Sequence, residues 1–437
     1  MVAPQSPSVL DRLRAAVPAN VRAVCETLAG AGHQAVTVGG AVRDAILGRV
    51  PGDWDVATSA KPEDVMALFR HTVPTGLKHG TVTVVTGRGE RFHVEVTTFR
   101  GDGAYSDARR PDHVVFGVPL IEDLARRDLR VNAMAYEPAH HALIDPYAGL
   151  RDIEDKVLRA VGPTGNVYED AVARFSEDGL RVMRAVRFAA QLEFALDPDT
   201  ERGIVPALPS LAKVSNERVS TELRKILATR QPSRALVPAE RTGILRTIAP
   251  ELVAGFAAWP FEVAAWAAGV DSVSPAARLG TMFAEIAPPD PGSRRIDRTA
   301  AKRAEAVLRR LKFANDEIAI ASALVGVSGA TAAGEWHEPQ VRRLLADVAR
   351  PHAPAVVAMW HAKAAVALAR AGDAIVARND PLHVAELAIT GSDLIAELAL
   401  SPGPLVGTML ATLRDRVIDD PALNTRDALL GIARRLP

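Results

Sequence analysis

Asp53 and Asp55, one residue apart and preceded by the pair Gly39 and Gly40, are the side chains of this sequence best suited to carry chemistry. Alternate residues of a strand share a face, so carboxylates that flank Trp54 point the same way. Paired hard oxygens on one face suit magnesium. The short apolar run Ala35 to Val38 ends at the two glycines, the pattern of a strand entering a tight turn where backbone approaches a ligand closely. A helix starting near Ala41 aims its free N–H groups and positive dipole end over that turn, and Arg43 adds a forked donor for phosphate oxygens. Together the pieces describe a device for holding a triphosphate and its metal ions. Taken singly, the glycines make an ordinary turn and the aspartates a solvated strand end.

A second constellation lies in Ser176 to Phe194, which reads as one helix with Val182, Val186 and Ala189 as its buried stripe. Asp178, Arg181, Arg184 and Arg187 follow one another at threes, so neighbours stand side by side and line a groove with one acid and several bases. On spacing alone, a salt-bridged surface helix explains the row equally well.

The elements that must position these groups are legible around them. Gly76 to Arg100 alternates, with Val82 and Val84 answered by Val94 and Val96 across Gly87 to Glu90, and so reads as a hairpin. Glu95 projects opposite to the valines, either as a third carboxylate beside the metals or as a solvent-facing strand glutamate. Tyr105, Asp107 and Arg109-Arg110-Pro111 lie in a polar, glycine-containing stretch of loop character. Arg126-Arg127-Asp128 reads as an ionic cluster on a helix, with Asn132 close behind. Asp145-Pro146-Tyr147 before Gly149-Leu150-Arg151-Asp152 is a turn.

Up to about Gly162 strands and helices mix; beyond it nearly every periodic segment is helical, with Pro and Gly at the joints. The expected division is 1–162, 163–230, 231–380 and 381–437. Ala287 to Ile296 reads as a linker, Arg298 to Ala377 as a helical block, and Asn424 or Thr425 as the cap of a last amphipathic helix. There is no internal repeat.

The chain's 437 residues allow several real cores, and 48% hydrophobic content without an apolar run of spanning length argues for a soluble protein. The N-terminus lacks the features of a secretory signal. A single cysteine, Cys25, excludes intramolecular disulfides and most zinc sites and points to a reducing cytoplasm; it reads as a helix-packing residue. Equal numbers of acidic and basic side chains, 52 each, argue against indiscriminate coating of nucleic acid. The predominance of Arg over Lys suits phosphate forks and base stacking, and equally reflects a GC-rich genome.

The order Gly39-Gly40, Arg43, Asp53, Asp55 resembles motif A of the nucleotidyltransferase superfamily, in the class II branch of CCA-adding tRNA nucleotidyltransferases and bacterial poly(A) polymerases. The resemblance covers residues 35–230 with specific motifs and 388–436 with weaker ones. It implies an α+β fold class: a polymerase-β-like nucleotidyltransferase head followed by an all-helical neck, body and tail. Asp53, Asp55 and Glu95 are then the catalytic carboxylates, with Asp53 and Asp55 as ligands of Mg2+. Tyr105 to Pro111 resembles the family's flexible loop. Arg127, Asp128 and Asn132 resemble motif B, which handles the ribose, although this chain has Leu129-Arg130 where the family usually has Phe-Thr. Asp145 to Asp152 resembles motif C, a structural link from head to neck.

Asp178, Arg181, Arg184 and Arg187 resemble motif D, the base-selecting row. Cytosine and adenine each present an exocyclic amine beside a bare ring nitrogen, so the carboxylate of Asp178 accepts while the guanidinium of Arg181 donates. Guanine and uracil present the reverse, leaving buried polar groups unpaired. Arg184 and Arg187 are placed for phosphates or for shaping the pocket.

The implied activity is template-independent addition of C, C and A to tRNA from CTP and ATP, with no membrane or DNA partner and a cytoplasmic location. Poly(A) polymerase, a CC-adding or A-adding specialist, and a non-catalytic RNA-binding protein on the same scaffold are the rivals. The wording Gly76 to Val85 is closer to the CCA-adding members. Some relatives carry an HD phosphohydrolase domain, whose His-Asp doublet does not occur in the middle of this chain.

Overall fold

The computed structural model describes residues 8–87, 91–102, 114–256, 262–286, 295–329, 336–363 and 365–436. The chain forms two compact units, one of residues 1–226 with 234–248, the other of residues 227–233 with 249–437.

The first unit opens with helices α1 (Val9–Ala16) and α2 (Ala19–Gly30), followed by strand β1 (Ala35–Val38), helix α3 (Gly40–Ile46), strand β2 (Asp55–Thr58) and helix α4 (Pro62–Leu68). Strands β3 (Thr72–Gly76), β4 (Thr81–Thr86) and β5 (Phe92–Thr98) follow, then the short pair β6 (Arg100–Asp102) and β7 (Val114–Phe116). Helix α5 (Leu120–Ala125) precedes β8 (Ala135–Glu137) and β9 (Ala142–Ile144). Seven of these strands make one mixed sheet in the order β3-β4-β5-β2-β1-β8-β9.

The expected hairpin is β4 against β5, with Val82 opposite Val96 and Val84 opposite Val94; all four are buried. Period-2 alternation places the valines on the core face and leaves Glu95 on the other. Residues 88–90 of its turn and the loop residues Tyr105, Asp107, Arg109, Arg110 and Pro111 lie outside the described residues, as does most of the linker, 287–294. All of β1 is buried, and Val36 and Val38 join Ala57, Phe99, Leu124 and Ala135 in the core of the sheet. Cys25 on α2 is fully buried, the packing residue expected.

After β9 come α6 (Gly149–Asp155), a short strand β10 (Val157–Leu158) and the helices α7 (Val167–Glu177) and α8 (Leu180–Leu192). Asp145 accepts from the backbone N–H groups of Gly149 and Leu150 at 2.7 and 2.8 Å, which makes it the anchor of α6. Strand β11 (Ala195–Leu196) pairs in parallel with β10, the one departure from helix past Gly162 in this unit. Helices α9 (Pro198–Arg202), α10 (Ile204–Leu211) and α11 (Asn216–Leu227) follow.

Three expectations are corrected. Ser176 to Phe194 is two helices, because the chain is extended at Asp178 and turns at Gly179. A Cβ at Gly179 would lie 2.2 Å from the Leu211 nitrogen, so the break is where α10's end presses on bare backbone. Strand β2 begins at Asp55, with Asp53 on the approach to it. Arg126-Arg127-Asp128 is no solvated helical cluster: α5 ends at Ala125 and Asp128 is 5% exposed.

The second unit is helical. One core gathers Leu324, Leu344, Val356, Trp360, Leu368 and Ile375. A smaller one gathers Leu394, Met409, Leu413 and Leu429. Thr425 caps the last helix (Arg426–Ala433), while Asn424 instead holds the backbone of Glu386 and Ala388. Among the described residues no helix is long and apolar enough to cross a membrane.

Candidate active site

Strand β1 delivers the chain to Gly39, whose φ of +77° lies in the left-handed region that favours glycine. A Cβ there would also meet Arg127 Nη1 at 2.9 Å, so the missing side chain brings the arginine onto the turn. Gly40 begins α3, and Arg43, 3% exposed, is turned inward from it. Its guanidinium bonds Asp44 at 2.9 Å and Asn132 Oδ1 at 2.5 Å.

Asp53 and Asp55 are exposed on either side of buried Trp54. Parallel pairing sets Asp55 directly beside Glu95 of β5. Desolvation, with the charges of Glu95 and Asp53, pushes the Asp55 carboxyl above its usual range against the pull of Arg127. That is the state of an acidic cluster short of positive charge. Among the described residues no three Asp, Glu, His or Cys side chains converge as a ready-made metal cage.

Asp123 at the end of α5 binds Arg126 at 2.8 Å and Arg127 at 3.5 Å, pinning both arginines. Asp128 Oδ1 accepts from Leu129 N and Asn132 Nδ2, each at 2.9 Å. Its Oδ2 accepts from Arg184 Nε at 2.8 Å and Nη2 at 2.7 Å. Burial alone would raise its pKa, but Arg184 and the Asn132 bond hold the carboxyl far below the usual range. Leu129, where the family usually has Phe, is fully buried, and Arg130 Nε donates to Ala160 O at 3.3 Å.

The helix break gives Asp178 a second task. Its Oδ1 accepts from Leu180 N, the first N–H of α8, at 3.1 Å, and its Oδ2 pairs with Arg218 of α11 at 2.7 Å. Arg181 bonds Glu177 at 2.9 Å. Arg187, 7% exposed, reaches Glu222 of α11 at 2.6 Å. The guanidinium carbons of Arg43, Arg184 and Arg187 lie 5.1, 5.4 and 4.1 Å from the centroid of the Phe188 ring.

A cleft of about 740 Å³ unites these groups: seven arginines and Lys225 line it, with Gly39, Gly40, Asp53, Asp55, Asp128, Asn132 and Asp178. Of the expected residues only Glu95 lies outside it, in a neighbouring cavity that also reaches Asp53 and Asp55. Arg127 Nε and Arg218 Nη1 are buried without a hydrogen-bond partner. Arg218, Glu222, Lys225, Phe188 and Asp123 escaped the reading of the sequence. The first three share one face of α11 at spacings of four and three, the signal that marked them.

The family model of the poly A polymerase head domain matches residues 35–159, and that of tRNA nucleotidyltransferase domain 2 matches 296–433. The CCA-adding enzyme of Geobacillus stearothermophilus is 49% identical over 213 residues, 49% of this chain and 50% of that one, so this match spans half of the relative's length. The CCA-adding enzyme of Leuconostoc mesenteroides is 33% identical over 421 residues, covering 93% of this chain and 94% of its own. Among solved structures, the Bacillus stearothermophilus CCA-adding enzyme in complex with CTP superposes with a TM-score of 0.68 at 31% identity, over 95% of this chain and 97% of that one.

Proposed function

The chain belongs to the family of CCA-adding enzymes, nucleotidyltransferases with a poly A polymerase type of head, and from that premise we propose that it adds C, C and A to the 3′ end of tRNA from CTP and ATP, releasing pyrophosphate. The observation that carries the reading is one cleft in which the exposed Asp53-Asp55 pair faces a wall of arginines and the Asp178 carboxylate.

The donor set fits magnesium: one or two carboxylates completed by substrate phosphates is its usual arrangement, and Asp55 lies directly beside Glu95 with Asp53 close by in sequence, like charges that a cation offsets. Asp53 and Asp55 would hold the ions, with Glu95 adding charge from the next strand. Magnesium, when bound, acidifies the attacking 3′-hydroxyl and offsets charge on the α-phosphate and pyrophosphate. Arg127, whose Nη1 lies against the Gly39-Gly40 turn in the wall of the cleft, takes a phosphate oxygen. Both oxygens of Asp128 already accept two bonds each, so its part in ribose handling is to fix Arg184 and Asn132.

Each oxygen of Asp178 accepts one bond and keeps a lone pair for the exocyclic amine of cytosine or adenine. Arg181 supplies the donor by sharing or exchanging its bond to Glu177. Residues 1–162 serve as catalytic head, 163–230 as base-selecting neck, 231–380 as body and 381–437 as the tRNA-binding tail. The cytoplasm is the site of action.

The test is to incubate the protein with magnesium and tRNA ending at the discriminator base, with CTP and ATP singly and together, and to resolve products nucleotide by nucleotide. Growth by three that then stops is expected, and Asp53→Ala should reduce it at least about a hundredfold with the fold retained. A long ladder with ATP alone would move the protein to the poly(A) polymerases, growth by two to the CC-adding specialists, and no growth to the RNA-binding reading.

A further inference from the structure

Phe188 is an apolar ring on the basic face of its helix. Val182, Val186 and Ala189 form the buried stripe of α8, whereas Phe188 follows Arg181 by seven residues and Arg184 by four, spacings that put it on the arginine side. It lines the cleft and is 5% exposed, so protein atoms rather than water cover the ring. Three of the groups against it are guanidiniums, those of Arg187, Arg43 and Arg184 at 4.1, 5.1 and 5.4 Å from its centre.

Each of the three has a different carboxylate. Arg43 is bonded to Asp44 and Asn132, Arg184 gives Nε and Nη2 to Asp128, and Arg187 gives Nε to Glu222 and Nη1 to Gln191. Arg184 Nη1 and Arg187 Nη2 then have no hydrogen bond to another of the described residues. A carboxylate holds a guanidinium by taking up its N–H groups. The face of an aromatic ring attracts the same cation through its quadrupole and leaves those donors to other acceptors. A further carboxylate in the wall would also repel a triphosphate, whereas the ring is neutral.

We infer that Phe188 is a positioning residue for the triphosphate: its ring gathers Arg43, Arg184 and Arg187 into one wall and leaves Arg184 Nη1 and Arg187 Nη2 to donate to phosphate oxygens. This rests on the reading of the protein as a nucleotidyltransferase and adds to it the group that orients the arginines.

The experiment places 4-fluoro-, 3,5-difluoro- and pentafluorophenylalanine at position 188 of the full-length protein, with Phe188→Leu beside them. Fluorine withdraws charge from the ring face while nearly keeping its shape, so the series weakens the attraction for cations without opening a cavity. KM for CTP and for ATP should rise stepwise with fluorine number, reaching roughly tenfold with the pentafluoro ring and with Phe188→Leu. KM for tRNA and kcat should stay within about threefold of wild type, the signature of lost binding common to ground and transition states. Equilibrium titration with CTP and magnesium should weaken in the same order, a readout that needs no turnover. CTP affinity that is flat across the fluorinated series, or that falls only in Phe188→Leu together with its melting temperature, would show ordinary core packing and overturn the inference. A wild-type protein that binds CTP but extends no tRNA would instead overturn the transferase reading, with the graded titration still deciding the role of Phe188.

Discussion

Arg184 closes on Asp128 from 56 residues further along the chain, with Nε at 2.8 Å and Nη2 at 2.7 Å from the same carboxylate oxygen. The pair joins α8 to the turn after α5, and Asn132 and Arg43 extend the chain of contacts to the Gly39-Gly40 turn. Replacing Arg184 with Ala leaves a carboxylate that is 5% exposed without its main counter-charge. Because Arg184 itself is 35% exposed and water can enter, the expected loss is about 2 kcal/mol, less than for a wholly buried pair. Denaturant unfolding of the variant measures it, and a midpoint equal to wild type would contradict it.

Asp178→Asn keeps an oxygen able to accept from Leu180 N but replaces a pure acceptor by a group that also donates. CTP and ATP incorporation should fall about 10- to 100-fold, and the preference over UTP and GTP should narrow. Single-nucleotide incorporation with each of the four triphosphates reads this directly.

Gly179→Ala tests the helix break. The new Cβ would sit 2.2 Å from Leu211 N and 2.3 Å from Ser210 C, backbone atoms that cannot rotate away. The variant should lose about 1–3 kcal/mol by forced backbone displacement. It should also lose activity, since Asp178 and Arg181 flank the break. Paired melting and activity curves show whether both fall.

Glu386 gives the second unit a pH dependence. Although burial works against it, the Arg350 guanidinium and the N–H groups of Leu382 and His383 hold its carboxyl down to about 2 from the usual 4.5. A depressed folded-state pKa contributes stability that is present above the unfolded value and lost as pH falls. The contribution should therefore be complete above about pH 4.5 and drain away toward pH 2, and Glu386→Gln should flatten that part of the stability curve. Unfolding midpoints of both proteins between pH 6 and 3 make the comparison.

Burial pushes the Cys25 thiol up to about 12, so almost none of it is thiolate near neutrality. Native protein should resist thiol reagents at pH 8, and labelling should appear only with denaturant. Rapid labelling of the folded chain would contradict the packing seen at α2.

Much of the site was legible because its signals are local. The spacing of Asp53 and Asp55 about Trp54 marked a carboxylate pair although only Asp55 lies in β2, the glycine pair marked the turn, and the buried stripe of Val182, Val186 and Ala189 gave α8 its orientation. The α+β head and the helical remainder followed from a change in hydrophobic period near Gly162. These depend only on residue type and near-neighbour spacing.

The pairings were not legible. Asp178 with Arg218 spans 40 residues, Arg187 with Glu222 spans 35, and Arg43 with Asn132 spans 89. Nor was the break at Gly179, since a local pattern holds no record of where α10 will press. The sequence by itself determined which groups could bind phosphate, metal and base, through chemistry carried by each side chain. Tertiary structure alone decided which carboxylate neutralises which arginine, because a guanidinium fork bonds whatever acceptor packing brings within about 3 Å, at any separation along the chain.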